Sequence, residues 1–222
     1  MQLNTNLSER LAINTAEMEW LDSPSPQVKR RPLERFASES GRATSVVSYA
    51  AGASFAEHAH PAGEEIMVLE GTFSDASGDY SAGSYLRNPP GSRHAPFSRD
   101  GCLLFVKLAQ FQSDDLQTIA IDTRKAAWHP GLVAGLSVLP LAAHGTENTA
   151  LVRWAPGTVF SAHRHYGGEE IFVLSGVFED EHGHYPAGTW LRSPHLSQHR
   201  PFSRQGCTIF VKTGHLLPGP AL

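Results

Sequence analysis

Two stretches of the sequence, GASFAEHAHPAGEEIMVLEG at residues 52–71 and GTVFSAHRHYGGEEIFVLSG at residues 157–176, are versions of one pattern. The similarity extends without a gap over residues 50–107 and 155–212, at a constant separation of 105 residues. About 32 of the 58 aligned positions are identical. A repeat of this length is too long for a solenoid and indicates a duplicated domain. We therefore predict two domains, residues 1–114 and 115–222.

Both copies have the sequence pattern of short β-strands. Apolar runs such as residues 65–69 and 103–106 alternate with Gly, Pro, Ser and Asp clusters about every 8–12 residues. Residues 75–80 and 180–185 are predicted to form hairpin turns around Gly78 and Gly183. Helical periodicity is weak throughout, and many short strands at regular spacing are typical of a sandwich or a barrel. The sequence thus predicts an all-β protein with two barrels in tandem.

Each copy also carries the same set of candidate metal ligands. In the first copy they are His58, His60, Glu64 and His94. In the second copy they are His163, His165, Glu169 and His199. Residues two apart on a strand point to the same face, so each His-x-His pair would present two imidazoles side by side. Three imidazoles and one carboxylate suit a divalent transition metal, and Zn, Fe, Mn, Ni and Cu are all chemically acceptable.

Neighbouring residues of the same types are assigned no role at these centres. Glu65 and Glu170 directly follow the proposed carboxylate ligands, so on a strand they would point to the opposite face. The other six histidines have no histidine partner in the repeat, and we assign them no function: His129, His144, His182, His184, His195 and His215.

Two other recurring pairs have two interpretations each. Cys102 and Cys207 occupy equivalent positions in apolar runs, which favours buried, unbridged side chains over redox-sensing thiols. A disulfide between them would need Cα atoms within about 7 Å, which is not expected for equivalent points of two barrels. Arg87 and Arg192 either hold an acidic ligand in the barrel mouth or make surface and inter-barrel contacts.

The ligand spacing in both copies resembles the two motifs of the cupin superfamily, G-x5-H-x-H-x3-E-x6-G and G-x5-P-x-G-x2-H. The first copy matches both, with Ser98 at a position where Asn is frequent. In the second copy Leu196 replaces the last glycine, which affects the local turn and leaves His199 in place. The resemblance implies two tandem cupin barrels (double-stranded β-helix, jelly-roll). Each would hold one divalent metal in its mouth through the four ligands named above.

A narrower resemblance is to the cupin domain of ChrR, an anti-sigma factor. It rests on GEEIMVLEG at 63–71, LRNPPGSRHAPFS at 86–98 and GCLLFVK at 101–107. This resemblance implies a regulatory or sensing role in an oxidative-stress context. Zn is the expected metal in that role, because three imidazoles and one carboxylate could fill a tetrahedral zinc site completely. The zinc-binding helical domain that precedes the cupin in ChrR uses His and Cys ligands. Residues 1–57 contain neither, which weakens the expectation of direct sigma-factor binding.

Two other functions remain open from the sequence. The same ligands around Fe, Mn or Ni would leave coordination positions free, so the chain could be a dioxygenase acting on a small diketone or hydroxyketone. A non-catalytic small-molecule binder is the third hypothesis. The predicted partners are a small-molecule ligand in the barrel mouth, a regulatory protein and a second copy of the chain.

Composition excludes several other classes. The 18 basic and 22 acidic side chains give a net charge of −4 with no basic run, so we expect no nucleic-acid partner. No stretch approaches the ~20 apolar residues of a membrane span, and the polar N-terminus lacks the apolar region of a signal peptide. Two cysteines are too few for a disulfide scaffold. We therefore expect a cytoplasmic protein.

Overall fold

The computed structural model describes residues 2–37 and 41–217. Within these ranges every regular element is a β-strand except one 3-10 turn, Thr15–Glu17, so the all-β prediction is confirmed. The chain divides into two compact units. The first consists of Met1–Thr5 and Met18–Ala126, and the second of Asn6–Glu17 and Ala127–Leu222.

The strands follow one another with short connections in both halves of the chain. The first half contains β1 (Leu11–Asn14), β2 (Leu21–Asp22), β3 (Val28–Arg35), β4 (Ala43–Tyr49), β5 (His58–His60), β6 (Glu64–Asp75), β7 (Gly78–Ser81), β8 (Ser84–Asn88), β9 (Ser92–His94), β10 (Cys102–Leu108) and β11 (Ile119–Asp122). The second half contains β12 (His129–Pro130), β13 (Leu136–His144), β14 (Glu147–Trp154), β15 (Thr158–Val159), β16 (His163–Arg164), β17 (Glu169–Asp180), β18 (Gly183–Pro186), β19 (Thr189–Ser193), β20 (Gln198–His199), β21 (Phe202–Ser203) and β22 (Cys207–Thr213).

The two units have corresponding antiparallel sheets. The first unit has the strand order β11-β8-β6-β10-β4-β3-β2, and the second has β1-β19-β17-β22-β14-β13-β12. Strands β5 and β9 form a separate ribbon in the first unit, as β16 and β20 do in the second. The predicted hairpins around Gly78 and Gly183 are confirmed as β6–β7 and β17–β18.

The spatial units depart from the predicted domains 1–114 and 115–222 in two segments. Residues 115–126 lie in the first unit, because β11 pairs with β8 at its sheet edge. Residues 6–17 lie in the second unit, because β1 pairs in the same way with β19. Strands β1 and β11 have similar sequences, LAIN and IAID, but strand pairing decides the unit to which each belongs.

Alternation along the strands buries an apolar face inside each unit. In the first unit this core includes Val28, Ile66, Val68, Phe73, Leu86, Leu104 and Val106. In the second it includes Leu136, Trp154, Ile171, Val173, Phe178, Leu191 and Ile209. Each core packs beneath the ribbon that carries the histidines, as the contact between the rings of Phe73 and His94 illustrates, with centroids 6.0 Å apart.

The long strand β6 changes partners at Gly71, the glycine that ends the first sequence motif. Before it, β6 pairs with β8 and β10; after it, β6 pairs with β7. Gly71 has a φ of +68°, and a Cβ atom there would overlap the carbonyl oxygen of Gly101. Gly176 of β17 is in the same situation, with a φ of +71° and the same overlap with Gly206. The motif therefore requires glycine because the backbones approach too closely for any side chain.

We expect Gly71→Ala to lower the free energy of unfolding by about 3 kcal/mol or more, because it combines a left-handed backbone with a backbone clash. Gly52→Ala is the matched control, since Gly52 also has a positive φ (+79°) but a Cβ atom there would meet nothing within 4 Å. It is expected to cost only about 1–2 kcal/mol, from φ alone. Urea unfolding of both variants measures the difference, and equal losses would contradict the role given to Gly71.

Candidate metal centres

The first centre lies on the ribbon formed by β5 and β9. His58 and His60 come from β5, and the pairing of the ribbon places His94 of β9 directly opposite His58. The three imidazole centroids are 4.8–5.0 Å apart. One ring nitrogen from each histidine lies within 4.8 Å of the others. The structure thus brings together the three histidines that the sequence spacing selected.

Glu64 lies at the start of β6, beside two members of this triad. Its Oε2 atom is 3.6 Å from Nε2 of His60 and 3.4 Å from Nε2 of His94. Asn88 donates a hydrogen bond of 3.0 Å to the same oxygen. The compact group of ligand atoms is formed by the histidines, and the carboxylate adjoins it on the side of His60 and His94.

These separations fit ligands that share one metal ion. Ligand atoms about 2.1 Å from an ion are roughly 3.0 Å apart at right angles and roughly 3.4 Å apart in a tetrahedron. The Nε2 atoms of His60 and His94 are 3.0 Å apart, and the carboxylate distances are 3.4 and 3.6 Å. The donor set and its spacing therefore fit a divalent transition metal.

The second centre repeats this arrangement. The ribbon of β16 and β20 places His163 opposite His199, and His165 directly follows β16. The imidazole centroids are 4.6–4.9 Å apart. Oε2 of Glu169 is 3.5 Å from Nε2 of His165 and 3.6 Å from Nε2 of His199.

Three of the atoms that face this second centre are buried without a hydrogen-bond partner in the described structure. They are Nε2 of His165, Nε2 of His199 and Oε2 of Glu169. A buried polar atom without a partner costs free energy on the order of 1–3 kcal/mol, so a partner shared by these three atoms would stabilise the site. A metal ion satisfies all three at once.

Burial keeps the imidazoles ready to bind metal. Burial, aided by the neighbouring imidazoles, lowers the pKa of His60 to about 3 and that of His165 to about 3. Both rings are therefore neutral in metal-free protein at neutral pH, which is the state that donates a lone pair. Burial also raises the pKa of Glu64 and of Glu169 to about 7.

The other ring nitrogens are oriented by oxygen acceptors. Nδ1 of His58 donates to the carbonyl oxygen of Ala56 at 2.9 Å, and Nδ1 of His163 donates to that of Ser161 at 3.0 Å. These bonds place the proton on Nδ1 and leave the Nε2 lone pair for the metal.

Each centre has a carboxylate beside one of its histidines that was not predicted from the sequence. Oδ2 of Asp75 is 3.4 Å from Nδ1 of His94, and Oδ2 of Asp180 is 3.4 Å from Nδ1 of His199. Both acids are identical in the repeat and end the strands β6 and β17. That recurrence was a signal that could have identified them.

The turn before His199 keeps its shape although a leucine replaces the motif glycine. Leu196 has a φ of +63°, and Gly91 in the first unit has a φ of +84°. The amide of Leu196 donates to the carbonyl of His165 at 2.8 Å, as the amide of Gly91 does to that of His60 at 2.9 Å. The second turn is thus retained at the cost of a strained backbone.

The neighbouring acids and the recurring arginines lie away from the centres. Glu65 accepts a hydrogen bond from Tyr85, and Glu170 accepts one from Trp190, both on the opposite sheet face as predicted. Arg87 is buried and donates to Asp115 at 2.6 Å, and Arg192 is buried and donates to the carbonyl oxygen of Asn6 at 2.7 Å. Neither lines the cavities beside the centres, so the acidic-ligand and surface-contact interpretations are both wrong for these residues.

Among the histidines assigned no role, His182 and His184 flank Gly183 in the second hairpin and are exposed. His144, His195 and His215 are half-buried, and Nε2 of His215 contacts Glu170 in the second unit.

The two centres open into cavities of different size and chemistry. The first cavity is about 650 Å³ and is lined by His58, His60 and Glu64, by apolar side chains, and by Tyr49, Arg30 and Arg35. The second is about 170 Å³, and apart from its metal-ligand candidates its lining is apolar. Strand pairing places Val138 and Trp154 in the second unit where the first has Arg30 and Tyr49. The ligand sets are therefore equivalent, whereas the cavities beside them are not.

Both cysteines are buried and unbridged, which confirms the preferred interpretation. Burial raises the pKa of Cys102 and of Cys207 to about 11, so the reactive thiolate is scarce at neutral pH. We expect native protein to react with less than ~0.2 equivalents of a thiol reagent per chain, and urea-unfolded protein with two. Rapid labelling of one native thiol would favour the redox-sensing alternative.

Comparison with known proteins agrees with this architecture. The structure resembles a candidate dioxygenase from Nostoc punctiforme (TM-score 0.78, 18% identity, covering 96% of this chain and 85% of that one). It also resembles the protein YlbA from Escherichia coli (0.73, 14%, 97% and 95%). A third similar structure is the Lactobacillus farciminis oxalate decarboxylase in complex with formate (0.66, 13%, 93% and 86%). At these identities the likeness concerns the fold. No curated protein matches the chain by sequence.

Fold and site together define a tandem cupin of the metal-binding type, which confirms the predicted fold class. The family model of the ChrR cupin-like domain matches residues 8–112 and again residues 116–217. The chain belongs to this ChrR cupin-like family. Among the described residues, no helix is long and apolar enough to cross a membrane.

Proposed function

We propose that the chain is a metal-dependent dioxygenase whose first barrel acts on a small, enolisable diketone or hydroxyketone. The observation that carries the proposal is the cavity of about 650 Å³ that opens onto His58, His60 and Glu64. Ligand sites for small molecules are typically about 300–1,000 Å³, mostly apolar, with a few placed polar groups. A closed structural metal site would need no such cavity.

The lining of the cavity suits an enolised substrate. Apolar side chains such as Val47, Phe55 and Leu104 would hold its carbon skeleton and exclude water. Arg30 and Arg35 contribute positive charge to the same wall. Positive groups fixed in a largely apolar cavity stabilise the negative charge that develops on oxygen when a ketone enolises.

The candidate ligands would hold the metal, and neighbouring side chains would keep those ligands in place. His58, His60 and His94 would hold the metal, with Glu64 as the fourth ligand. A bound divalent metal supplies Lewis acidity and, as Fe(II), redox chemistry with O₂. Asn88 holds the Glu64 carboxylate, and Asp75 orients His94, so the chain itself keeps these groups in place. Fe, Mn or Ni in the first centre is part of this proposal, whereas Zn would suit a closed second centre.

The decisive experiment measures O₂ uptake by Fe(II)-loaded protein with a panel of β-diketones and α-hydroxyketones. We expect one O₂ per substrate consumed, with both atoms of ¹⁸O₂ in the products. Uptake should be lost in His58→Ala and retained in His163→Ala, which disturbs only the second centre. Absence of uptake across the panel, by protein with measured metal content and with Mn(II) and Ni(II) also tried, would overturn the proposal.

A second candidate is a ligand-responsive regulator, favoured by the family match to the ChrR cupin-like domain. In that role the first cavity would bind its ligand without consuming O₂, and binding would alter affinity for a regulatory protein. A thermal shift with a diketone but no O₂ uptake would favour this regulator over the enzyme.

The proposed location for either function is the cytoplasm, where the two unbridged thiols would stay reduced.

A further inference from the structure

The edge strands β1 and β11 are exchanged between the two halves of the sequence. Strand β1 precedes the first repeat in the sequence, yet it belongs to the second unit. Leu11 pairs with Arg192 of β19, and Ile119 of β11 pairs with Arg87 of β8 in the same register. The second unit is therefore completed by a segment from the start of the chain.

This segment places Arg10 beside Asp180, the carboxylate next to His199 of the second metal centre. The guanidinium donates to Oδ2 of Asp180 at 2.6 Å and to the hydroxyl of Tyr185 at 2.9 Å. The side chain of Asp180 is fully buried, and that of Arg10 is 29% exposed. Arg10 is thus a nearby positive charge for a buried carboxylate, close enough for a strong charge-assisted hydrogen bond.

Asp180 in turn faces a candidate metal ligand. Its Oδ2 atom lies 3.4 Å from Nδ1 of His199. Its other oxygen accepts hydrogen bonds from the amides of His182 and Gly183 and from the Tyr185 hydroxyl, at 2.8, 3.1 and 2.9 Å. The carboxylate is held from several sides, so it can fix the orientation of the imidazole.

The first centre has the equivalent acid, Asp75, but among the described residues no arginine contacts it. Asp75 faces His94 at 3.4 Å, and its side chain is 10% exposed. Counting from the paired strands, the residue before β11 that corresponds to Arg10 is Thr118. The two centres thus have the same ligand types but differ in charge: the second has Arg10 beside its aspartate, whereas the first has Thr118 at the corresponding position.

We propose that Arg10 is a positioning residue for the second metal centre: it fixes Asp180 against His199 and makes this centre hold its metal more tightly than the first. The first centre, with its freer carboxylate and larger cavity, is the exchangeable one. Groups that orient a metal-binding histidine typically change metal affinity by about 10–100-fold. The inference depends on metal binding by the two triads and is independent of the proposed oxygenase activity.

The test measures the affinity of one centre at a time in the full-length chain. His94→Ala leaves the second centre to be titrated alone with Co(II) or Zn(II) against a chromophoric chelator, and His199→Ala leaves the first. We expect Arg10→Met to weaken binding in the His94→Ala background by about tenfold or more. In the His199→Ala background it should change affinity by less than about twofold.

Further variants separate positioning from a general loss of stability. Arg10→Lys should recover most of the affinity, since it restores the charge beside Asp180. Asp180→Asn should cause a similar loss, and adding Arg10→Met to it should cause little more, because both act through one carboxylate. The visible spectrum of the Co(II)-loaded second centre should shift in Arg10→Met, whereas a merely structural arginine would lower only the melting temperature of metal-free protein.

Three results would overturn the inference. One is an unchanged affinity of the second centre in Arg10→Met. Another is an equal loss at both centres. The third is tighter binding after Arg10 is removed, which would mean that its charge weakens His199 as a donor.

Discussion

Replacement of His60 by alanine is expected to reduce the metal content from two ions to one per chain. His60 is buried, and its Nε2 atom lies 3.0 Å from that of His94 and 3.6 Å from the Glu64 carboxylate. Without it, the first centre keeps two imidazoles and a carboxylate, and the loss of one of few ligands removes most of the affinity. Elemental analysis of protein purified without an affinity metal gives the stoichiometry directly.

Matched variants assign each ion to its barrel. His165→Ala should also leave one ion, now in the first centre, and the double variant should bind none above background. His129→Ala is the control, because His129 is exposed and lies outside both triads, and it should retain two. Wild-type protein that takes up no metal on incubation would contradict the role assigned to all six triad histidines.

The proximity of each His-x-His pair to its glutamate was predictable because it depends on local spacing. A His-x-His pair on a strand and a glutamate four residues after its second histidine remain close in space however the rest of the chain folds. The location of His94 was less local, and it was marked by the second cupin motif and by the same spacing at His199. The tandem barrels were predictable for a similar reason, since turn residues recur at strand intervals in both copies.

The contacts of the two aspartates with the histidines could not be predicted from local spacing. Asp75 lies eleven residues after Glu64 on the same strand, yet both approach His94. They can do so because the partners of β6 change at Gly71, from β8 and β10 to β7. This change of partners requires the close approach of the backbone at Gly101, the residue before β10. Contacts that depend on the path of a long strand cannot be derived from spacing alone.

The unit to which each edge strand belongs could not be predicted from the sequence, for another reason. Leu11, Ala12 and Ile13 match Ile119, Ala120 and Ile121 closely, so either segment satisfies the pattern of either sheet edge. The sequence therefore identifies two equivalent strands without deciding which unit each completes. Arg10 acquires its contact with Asp180 only through that choice, so its role could be inferred only from the structure.

The unequal cavities lead to the last prediction, that Val47→Trp abolishes ligand binding in the first barrel and leaves both metal centres intact. Val47 is half-buried, lines the first cavity and is outside the ligand set. An indole at this position would grow into open volume beside the histidines, so it should displace substrate without breaking the packed sheet. We expect at least a ~100-fold loss of O₂ uptake with the diketone or hydroxyketone used, and two metal ions per chain as in wild type.

Val152→Trp provides the matched control, because Val152 is the equivalent residue and lines the second, smaller cavity. It should leave O₂ uptake and the diketone-induced thermal shift unchanged if the first barrel alone accommodates substrate. Equal losses in the two variants would mean that both barrels contribute to turnover. Full activity in Val47→Trp, with the indole confirmed and two metals bound, would remove the first cavity from the mechanism, since no substrate could then be using that space.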